Sequence, residues 1–192
     1  MTDPAEEPEA KKARVEENGE PTGWENHALN VSEALMKADE GKHFKDLVDM
    51  EVSTLQGIGP FSSKVLEALG VKTVGELATY KYFLLARALK TLSETETKDG
   101  RPKGSCMNVD KAVDKAWESK SLTEICEAPT EALEGIANEA CELLESLGVK
   151  SIGDLAEFKY CRWAEAIVAA SSYEEMKTEK ERKLDAALKK LA

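Results

Sequence analysis

Residues 55–72 read LQGIGPFSSKVLEALGVK, and the pattern returns at residues 133–150 as LEGIANEACELLESLGVK. The two stretches lie 78 positions apart. The same offset aligns residues 30–92 with residues 108–170 without a gap, and 23 of the 63 aligned positions are identical. A fixed offset over this length indicates an internal duplication. We therefore expect two copies of one module, here called copy one (30–92) and copy two (108–170).

Each copy opens with signals for short helices. Ser32 or Asp110 can cap a first helix of about two turns, which would end near Gly41 in copy one. A second short helix is predicted at residues 44–48 and again at residues 122–126, where apolar residues have helical spacing. These signals predict helix rather than strand at the start of both copies.

The rest of each copy is also predicted to be helical. Pro60 suits the first position of a helix, where its missing N–H costs nothing, and Gly70 suits the end of that helix. Thr73 or Ser151 can cap the next helix. No segment alternates with a period of two, so no strand is expected. The prediction is an all-α fold of two tandem five-helix modules. The last helix of copy one carries an apolar stripe of Tyr82, Leu85, Ala86 and Leu89.

The segments outside the copies differ from them in composition. Residues 1–29 are acidic and too polar to bury a core, so we expect a disordered tail. Residues 93–107 resemble a linker, and residues 171–192 predict an extra C-terminal helix. Within it, residues 183–190 resemble residues 108–115. That helix is either the start of an unfinished repeat, which would cover the last module, or a basic helix-prone tail.

The charge of the chain is unevenly distributed. The net charge is −11, and the Lys, Arg, Asp and Glu residues sum to zero in copy one and to −7 in copy two. A protein that binds polyanions through charge alone is basic. The composition therefore argues against a general nucleic-acid binder, and it favours protein partners for the acidic copy two.

The segment 55–66, followed by 69–78, resembles the helix-hairpin-helix family of SAM-like helical modules. It is most similar to the versions in recombinase N-terminal domains and in the C-terminal domain of the RNA polymerase alpha subunit. The resemblance rests on the glycine-hydrophobic-glycine hairpin and the small residue Ser63. It implies that backbone N–H groups at the hairpin can bind a phosphate. The implied contact residues are Gly57, Ile58, Gly59, Ser62 and Lys64.

Both copies depart from this pattern. Pro60 removes one N–H donor from the copy-one hairpin. Copy two places carboxylates where copy one has cations, and carboxylates repel phosphate. We therefore expect nucleic acid to bind through copy one only, or not at all if its glycines simply permit a tight turn. The positions equivalent to Gly59, Lys64 and Arg87 are Ala137, Glu142 and Glu165.

The cysteines and histidines do not form a recognisable metal or disulfide pattern, so no metal site and no cofactor are predicted. There is no Cys-x-x-Cys pair, and the histidines are His27 and His43. Three cysteines occupy apolar or small positions of the repeat and should be buried, whereas Cys106 lies in the linker and should be exposed. The three are Cys126, Cys141 and Cys161, which are equivalent to Val48, Ser63 and Phe83.

The functional prediction is a non-enzymatic binding protein, an adaptor or scaffold with an unidentified protein partner. No catalytic motif is present, and no apolar run suggests a signal peptide or a membrane span. The alternative is a nucleic-acid-associated protein that contacts phosphate through the copy-one hairpin. Trp117 replaces Asp39 and is either a partner contact or a packing residue on the C-terminal helix. Lys11-Lys12-Ala13-Arg14 fits a minimal nuclear-import signal, so we expect an intracellular protein, nuclear if the signal acts and cytoplasmic otherwise.

Overall fold

The computed structural model describes residues 29–191, which divide into two compact units. One unit is Asn30–Met176, and the described part of the other is Leu29 with residues 177–191. Across the described residues the chain forms helices, turns and isolated β-bridges but no strand, which confirms the all-α prediction. The predictions for the acidic tail, including the basic stretch Lys11–Arg14 and His27, lie outside the described residues.

The described helices are short in both copies, and only the last helix of each exceeds ten residues. In copy one they are α1 (Phe44–Val48), α2 (Pro60–Ala68), α3 (Val74–Ala78) and α4 (Lys81–Ser93), with a 3-10 turn at Val52–Thr54. In copy two they are α5 (Leu122–Glu127), α6 (Asn138–Ser146), α7 (Ile152–Ala156) and α8 (Lys159–Ser171), with a 3-10 turn at Thr130–Ala132. The second unit holds α9 (Glu179–Leu191).

The duplication seen in the sequence is present in the structure. The bounds of α2, α3 and α4 recur 78 positions later in α6, α7 and α8. The isolated backbone bridges recur at the same offset, since the bridges Leu35 to Leu55 and Glu51 to Thr73 return as Val113 to Leu133 and Pro129 to Ser151. The two copies therefore share one backbone plan.

Local signals at the helix ends are confirmed. Pro60 is the first residue of α2, and Gly70 follows its end with φ of 81°. The Thr73 hydroxyl accepts a hydrogen bond from the Glu76 N–H, and the Glu76 carboxylate accepts one from the Thr73 N–H. The same capping box begins α7 at Ser151. Short-range sequence rules thus fix these boundaries.

The prediction of a helix at the start of each copy, capped by Ser32 or Asp110, is wrong. Residues 32–34 and 37–41 form turns, and Leu35 between them is buried with 2% of its surface exposed. The Met36 N–H donates to the Thr54 carbonyl at 2.8 Å, and the Ala34 carbonyl accepts from the Gln56 N–H at 2.9 Å. These long-range bonds use the backbone groups that a helix would have paired locally, so tertiary pairing overrides the cap signal at Ser32.

The last helix of each copy packs against the other copy. Helix α4 packs on α5 and α7, whereas α8 packs on α1 and α3. The buried side chains of both copies form one hydrophobic core. Residues 30–176 are therefore a single compact unit in which two copies have exchanged their final helices.

The predicted C-terminal helix is present but starts later than residue 171. Helix α8 ends at Ser171, and α9 covers Glu179–Leu191. Residues 183–190 are helical, whereas the segments that they resemble at the start of the two copies form turns and a bridge. The sequence similarity to an unfinished repeat therefore does not extend to a shared local structure.

Candidate functional site

Three of the five predicted phosphate-binding residues lie in one continuous turn before α2, here called the copy-one hairpin (residues 55–59). Gly57 has φ of 98°, a left-handed conformation that favours glycine. Ile58 is buried, and its N–H donates to the Leu55 carbonyl at 3.1 Å. Gly59 is exposed and is the N-cap of α2. The Ile58 N–H, one of the donors that the resemblance implies for phosphate, is therefore already bonded within the turn.

The two remaining predicted residues follow on α2. Ser62 is half-buried in the first turn of the helix, and Lys64 is exposed one residue beyond Ser63. The first N–H groups of a helix lack acceptors within it, and Pro60 has no N–H to contribute. The structure therefore places all five predicted residues along one turn and helix start, where neither Pro60 nor the bonded Ile58 N–H is available to an anion.

A tyrosine from the opposite copy contacts each hairpin glycine. A Cβ built on Gly57 would lie 2.7 Å from the Tyr160 hydroxyl oxygen, so a side chain there would collide with copy two. The equivalent Tyr82 donates a hydrogen bond from its hydroxyl to the Gly135 carbonyl in copy two. In both copies, therefore, the hairpin contacts the last helix of the opposite copy.

Two glutamates that the sequence analysis missed make the second reciprocal contact. Glu96, just after α4, accepts hydrogen bonds from the Leu122 and Thr123 N–H groups of α5 at 2.7 and 2.9 Å. Glu174, which is 78 positions later, accepts from the first two N–H groups of α1, both at 3.0 Å. Glu96, which follows copy one, therefore caps α5 of copy two, and Glu174, which follows copy two, caps α1 of copy one. The offset itself signals this role, because it pairs two glutamates just beyond the limits of the sequence alignment.

The environment of these two carboxylates favours their charged form. Partial burial of Glu96 acts to raise its pKa, but the N–H groups of Leu122 and Thr123 outweigh that effect and hold the pKa below its usual range. The pKa of Glu174 is lowered in the same way, with burial again opposed by hydrogen bonds from α1. Glu174 also lies 3.1 Å from His43 Nδ1. Both caps therefore act as charged acceptors at neutral pH.

A third contact joins two equivalent positions directly. Arg87 Nη2 lies 2.6 Å from Glu165 Oε1, and these residues are 78 positions apart. The sequence comparison treated Glu165 as a loss of positive charge in copy two. In the structure the exchange creates an ion pair between α4 and α8, because the two equivalent positions face each other.

An apolar groove of about 550 Å³ opens beside α8. The side chains of Trp163, Ile167 and Ala170 line one wall, and Phe44 and the start of copy one line the other. Glu33 is the charged residue among those that line it. The groove is therefore a concave, mostly apolar surface with an acidic edge. Its remaining lining residues are Asn30, Val31, Ser32, Ala34 and Ala166.

Trp117 is explained by packing rather than by exposure. It is partly buried against the hydrophobic core of residues 30–176. In copy one the equivalent Asp39 accepts a hydrogen bond from the buried Thr54 hydroxyl at 2.5 Å, and the equivalent of Thr54 is the buried Ala132. Copy two has thus replaced a buried polar contact with apolar residues at both positions.

The burial predicted for the cysteines is confirmed. Cys126, Cys141 and Cys161 are buried, and Cys106 is exposed. Burial raises the pKa of the Cys161 thiol well above its usual range, which disfavours the reactive thiolate. Within residues 29–191, no group of three metal-ligating side chains occurs, and no helix there is long and apolar enough to cross a membrane.

Comparison of the chain with protein-family models, with curated proteins and with solved structures finds no match.

Proposed function

We propose that the chain is a non-enzymatic adaptor or scaffold built on two helix-hairpin-helix-like modules, with one extra helix after copy two. The observation that carries the proposal is the contact of Tyr160 with Gly57, repeated by Tyr82 at Gly135. The surface that related hairpins use for phosphate is here used to hold the two copies together. Other surfaces are then left to bind a partner.

Several features of the copy-one hairpin support this reading over the nucleic-acid alternative. The positive φ of Gly57 and the approach of Tyr160 each account for glycine without a ligand. The Ile58 N–H is bonded within the turn, and Arg87 is paired with Glu165. A module with no net positive charge gives little phosphate affinity, since such affinity depends on the number of cations.

The groove beside α8 is the partner surface that these features favour. Concave apolar surfaces with a few polar groups are typical of binding sites. Glu33 at its edge and the net charge of −7 in copy two select for positive charge in the occupant. We assign the groove to a short amphipathic helix of a partner protein, with an apolar face and flanking lysines or arginines.

The groove assignment is tested with a synthetic amphipathic peptide that carries a leucine face and lysines, and with a twin in which glutamates replace the lysines. Ala166→Trp fills the groove, and Ala88→Trp is the matched control at the equivalent exposed position of α4. We expect the basic peptide to bind the wild type and Ala88→Trp, and to bind Ala166→Trp at least about ten-fold more weakly. Equal binding to all three proteins, or no preference for the basic peptide, would contradict the assignment.

The nucleic-acid alternative is tested with the full chain and fluorescent duplex DNA. Lys64→Glu copies the residue already present at Glu142, so the exposed helix position should stay folded. We expect no binding by either protein at physiological salt. Salt-sensitive binding by the wild type that disappears in Lys64→Glu would overturn the adaptor proposal in favour of phosphate binding through copy one.

A further inference from the structure

We propose that copy one and copy two are matched halves that recognise each other, and that a second copy of this chain can supply the partner half. Two chains can then pair crosswise, with copy one of each bound to copy two of the other. This inference does not depend on the proposed adaptor function, because it concerns the surfaces between the copies and not the groove.

The buried surfaces between the copies resemble a subunit interface. Helix α4 leaves copy one to pack on α5 and α7, and α8 leaves copy two to pack on α1 and α3. Phe83 on α4 and Cys161 at the equivalent position of α8 are each at most 1% exposed. Separating the copies would expose these apolar faces to water. Each copy therefore needs a partner whose surface matches that of the other copy.

The polar contacts are reciprocal and are made at helix and hairpin ends. Tyr82 and Tyr160 reach the hairpin glycines of the opposite copies, and Glu96 and Glu174 cap their first helices. Reciprocal contacts between equivalent residues are the mark of a two-fold interface, in which residue i of one half meets residue j of the other and the reverse.

Arg87 and Glu165 make this interface selective. Because they occupy equivalent positions and meet each other, two copies of copy one would bring arginine against arginine, and two copies of copy two would bring glutamate against glutamate. Like charges placed opposite each other disfavour a pairing. The correct partner of copy one is therefore copy two.

The covalent connection between the copies lies on the surface of the protein. Residues 94–108 are exposed throughout, and Arg101 bonds the Lys120 carbonyl at 2.9 Å. Glu96 and Arg101 of this segment bond copy two, but the helices that form the pairing surfaces lie outside it, so the connection mainly raises the local concentration of the partner half. Pairing of the two copies within one chain is then favoured at low protein concentration. Once the two copies of a chain separate, the corresponding copy of a second chain can bind in the same position.

The test cuts the connection in the folded, full-length chain. A protease recognition sequence is inserted between Lys103 and Gly104, both of which are exposed. After cleavage we expect the two fragments to remain one particle in size-exclusion chromatography. Cleaved protein is then mixed with cleaved nitrogen-15-labelled protein and examined by native mass spectrometry. We expect hybrid particles that contain one light and one heavy half, always one of each kind.

Charge variants of the cleaved protein test selectivity. Arg87→Glu and Glu165→Arg should each weaken the complex roughly three-fold to ten-fold, and the double variant should restore it. Reversing Arg162 and Glu157, an ion pair within copy two, is the matched control and should change nothing. Fragments that separate at once after cleavage, particles with two copies of one half, or failure of the double variant to recover would each overturn the proposal.

Discussion

Gly57 has two independent reasons to be glycine, and only one could be predicted from the sequence. Its positive φ of 98° follows from the tight turn that the glycine pattern indicates. The approach of Tyr160 is a contact between residues more than a hundred positions apart, and turn chemistry carries no information about it. The five predicted site residues do lie close together along the hairpin and the start of α2, whereas the tyrosine that fills the space beside Gly57 was not predicted from the sequence.

Substituting the two hairpin glycines should have unequal effects. Gly57→Ala combines the positive φ with a Cβ 2.7 Å from the Tyr160 hydroxyl, so we expect a loss of about 1–3 kcal/mol in the free energy of unfolding. Gly59→Ala is the matched control, because its φ is −82° and no atom lies within 4 Å of the added Cβ. Urea denaturation of both variants measures the difference.

The cost of Gly57→Ala can be divided into the part due to Tyr160 and the part due to the positive φ. In a Tyr160→Phe background the colliding oxygen is absent, and the next atom of the ring lies 3.6 Å from the added Cβ. The cost of Gly57→Ala should therefore fall in that background and leave mainly the cost of the positive φ. An undiminished cost would mean that Tyr160 does not contact the hairpin.

The cysteines should label in an order set by burial. Cys106 is exposed and should react with a maleimide reagent at once, whereas Cys141 and Cys161 are 3% and 1% exposed and should react only after unfolding. Cys126 is 7% exposed and lines a cleft of about 490 Å³, so it should be the fastest of the buried three. Intact-mass spectrometry over time follows the order, and uniform labelling of all four thiols in native buffer would disprove it.

At the scale of helices, a cap residue predicted a helix start correctly where its hydrogen bonds close within a few residues. It failed where the backbone pairs with residues far away in the sequence. Thr73 and Ser151 cap their helices as predicted, because the capping box is closed within four residues. Ser32 is also a favoured cap residue but begins no helix, since the backbone around Leu35 pairs with residues 54–56. The caps from Glu96 and Glu174 could be found only by extending the repeat beyond its clear limits.

Removing the charged caps should destabilise the fold and alter its pH dependence. Glu174→Gln and Glu96→Gln should each lower the free energy of unfolding by about 0.5–1 kcal/mol at neutral pH, with the smaller effect at the more exposed Glu96. Glu94→Gln is the control, since Glu94 is exposed at the end of α4.

The sign of the pH effect follows from the lowered pKa of both groups in the folded state. Their contribution is fully present above the ordinary glutamate value of about 4.3 and is lost as the pH falls through the folded-state pKa. The stability difference between wild type and each variant should therefore shrink in acid. A difference that grows as the pH falls would show that the carboxylates are not acceptors in these caps.

At the scale of the whole molecule, the duplication was predictable and the exchange of helices was not. The offset of 78 positions, read from the sequence, matches the helix bounds of both copies. It cannot say whether Tyr82 meets Gly57 of its own copy or Gly135 of the other, because both copies have the same glycine and tyrosine. Only the reversal of charge between Arg87 and Glu165 hinted that the equivalent positions meet.

The most direct test of this exchange is a nuclear Overhauser measurement on the full-length protein with assigned tyrosine ring protons. The Tyr160 ring atom Cε1 lies 3.7 Å from the Cβ position built on Gly57, which a glycine α-proton occupies. We predict cross-peaks between the Tyr160 ring and the Gly57 α-protons, and between the Tyr82 ring and the Gly135 α-protons. Cross-peaks of Tyr82 with Gly57 and of Tyr160 with Gly135 would place each last helix on its own copy and contradict the account.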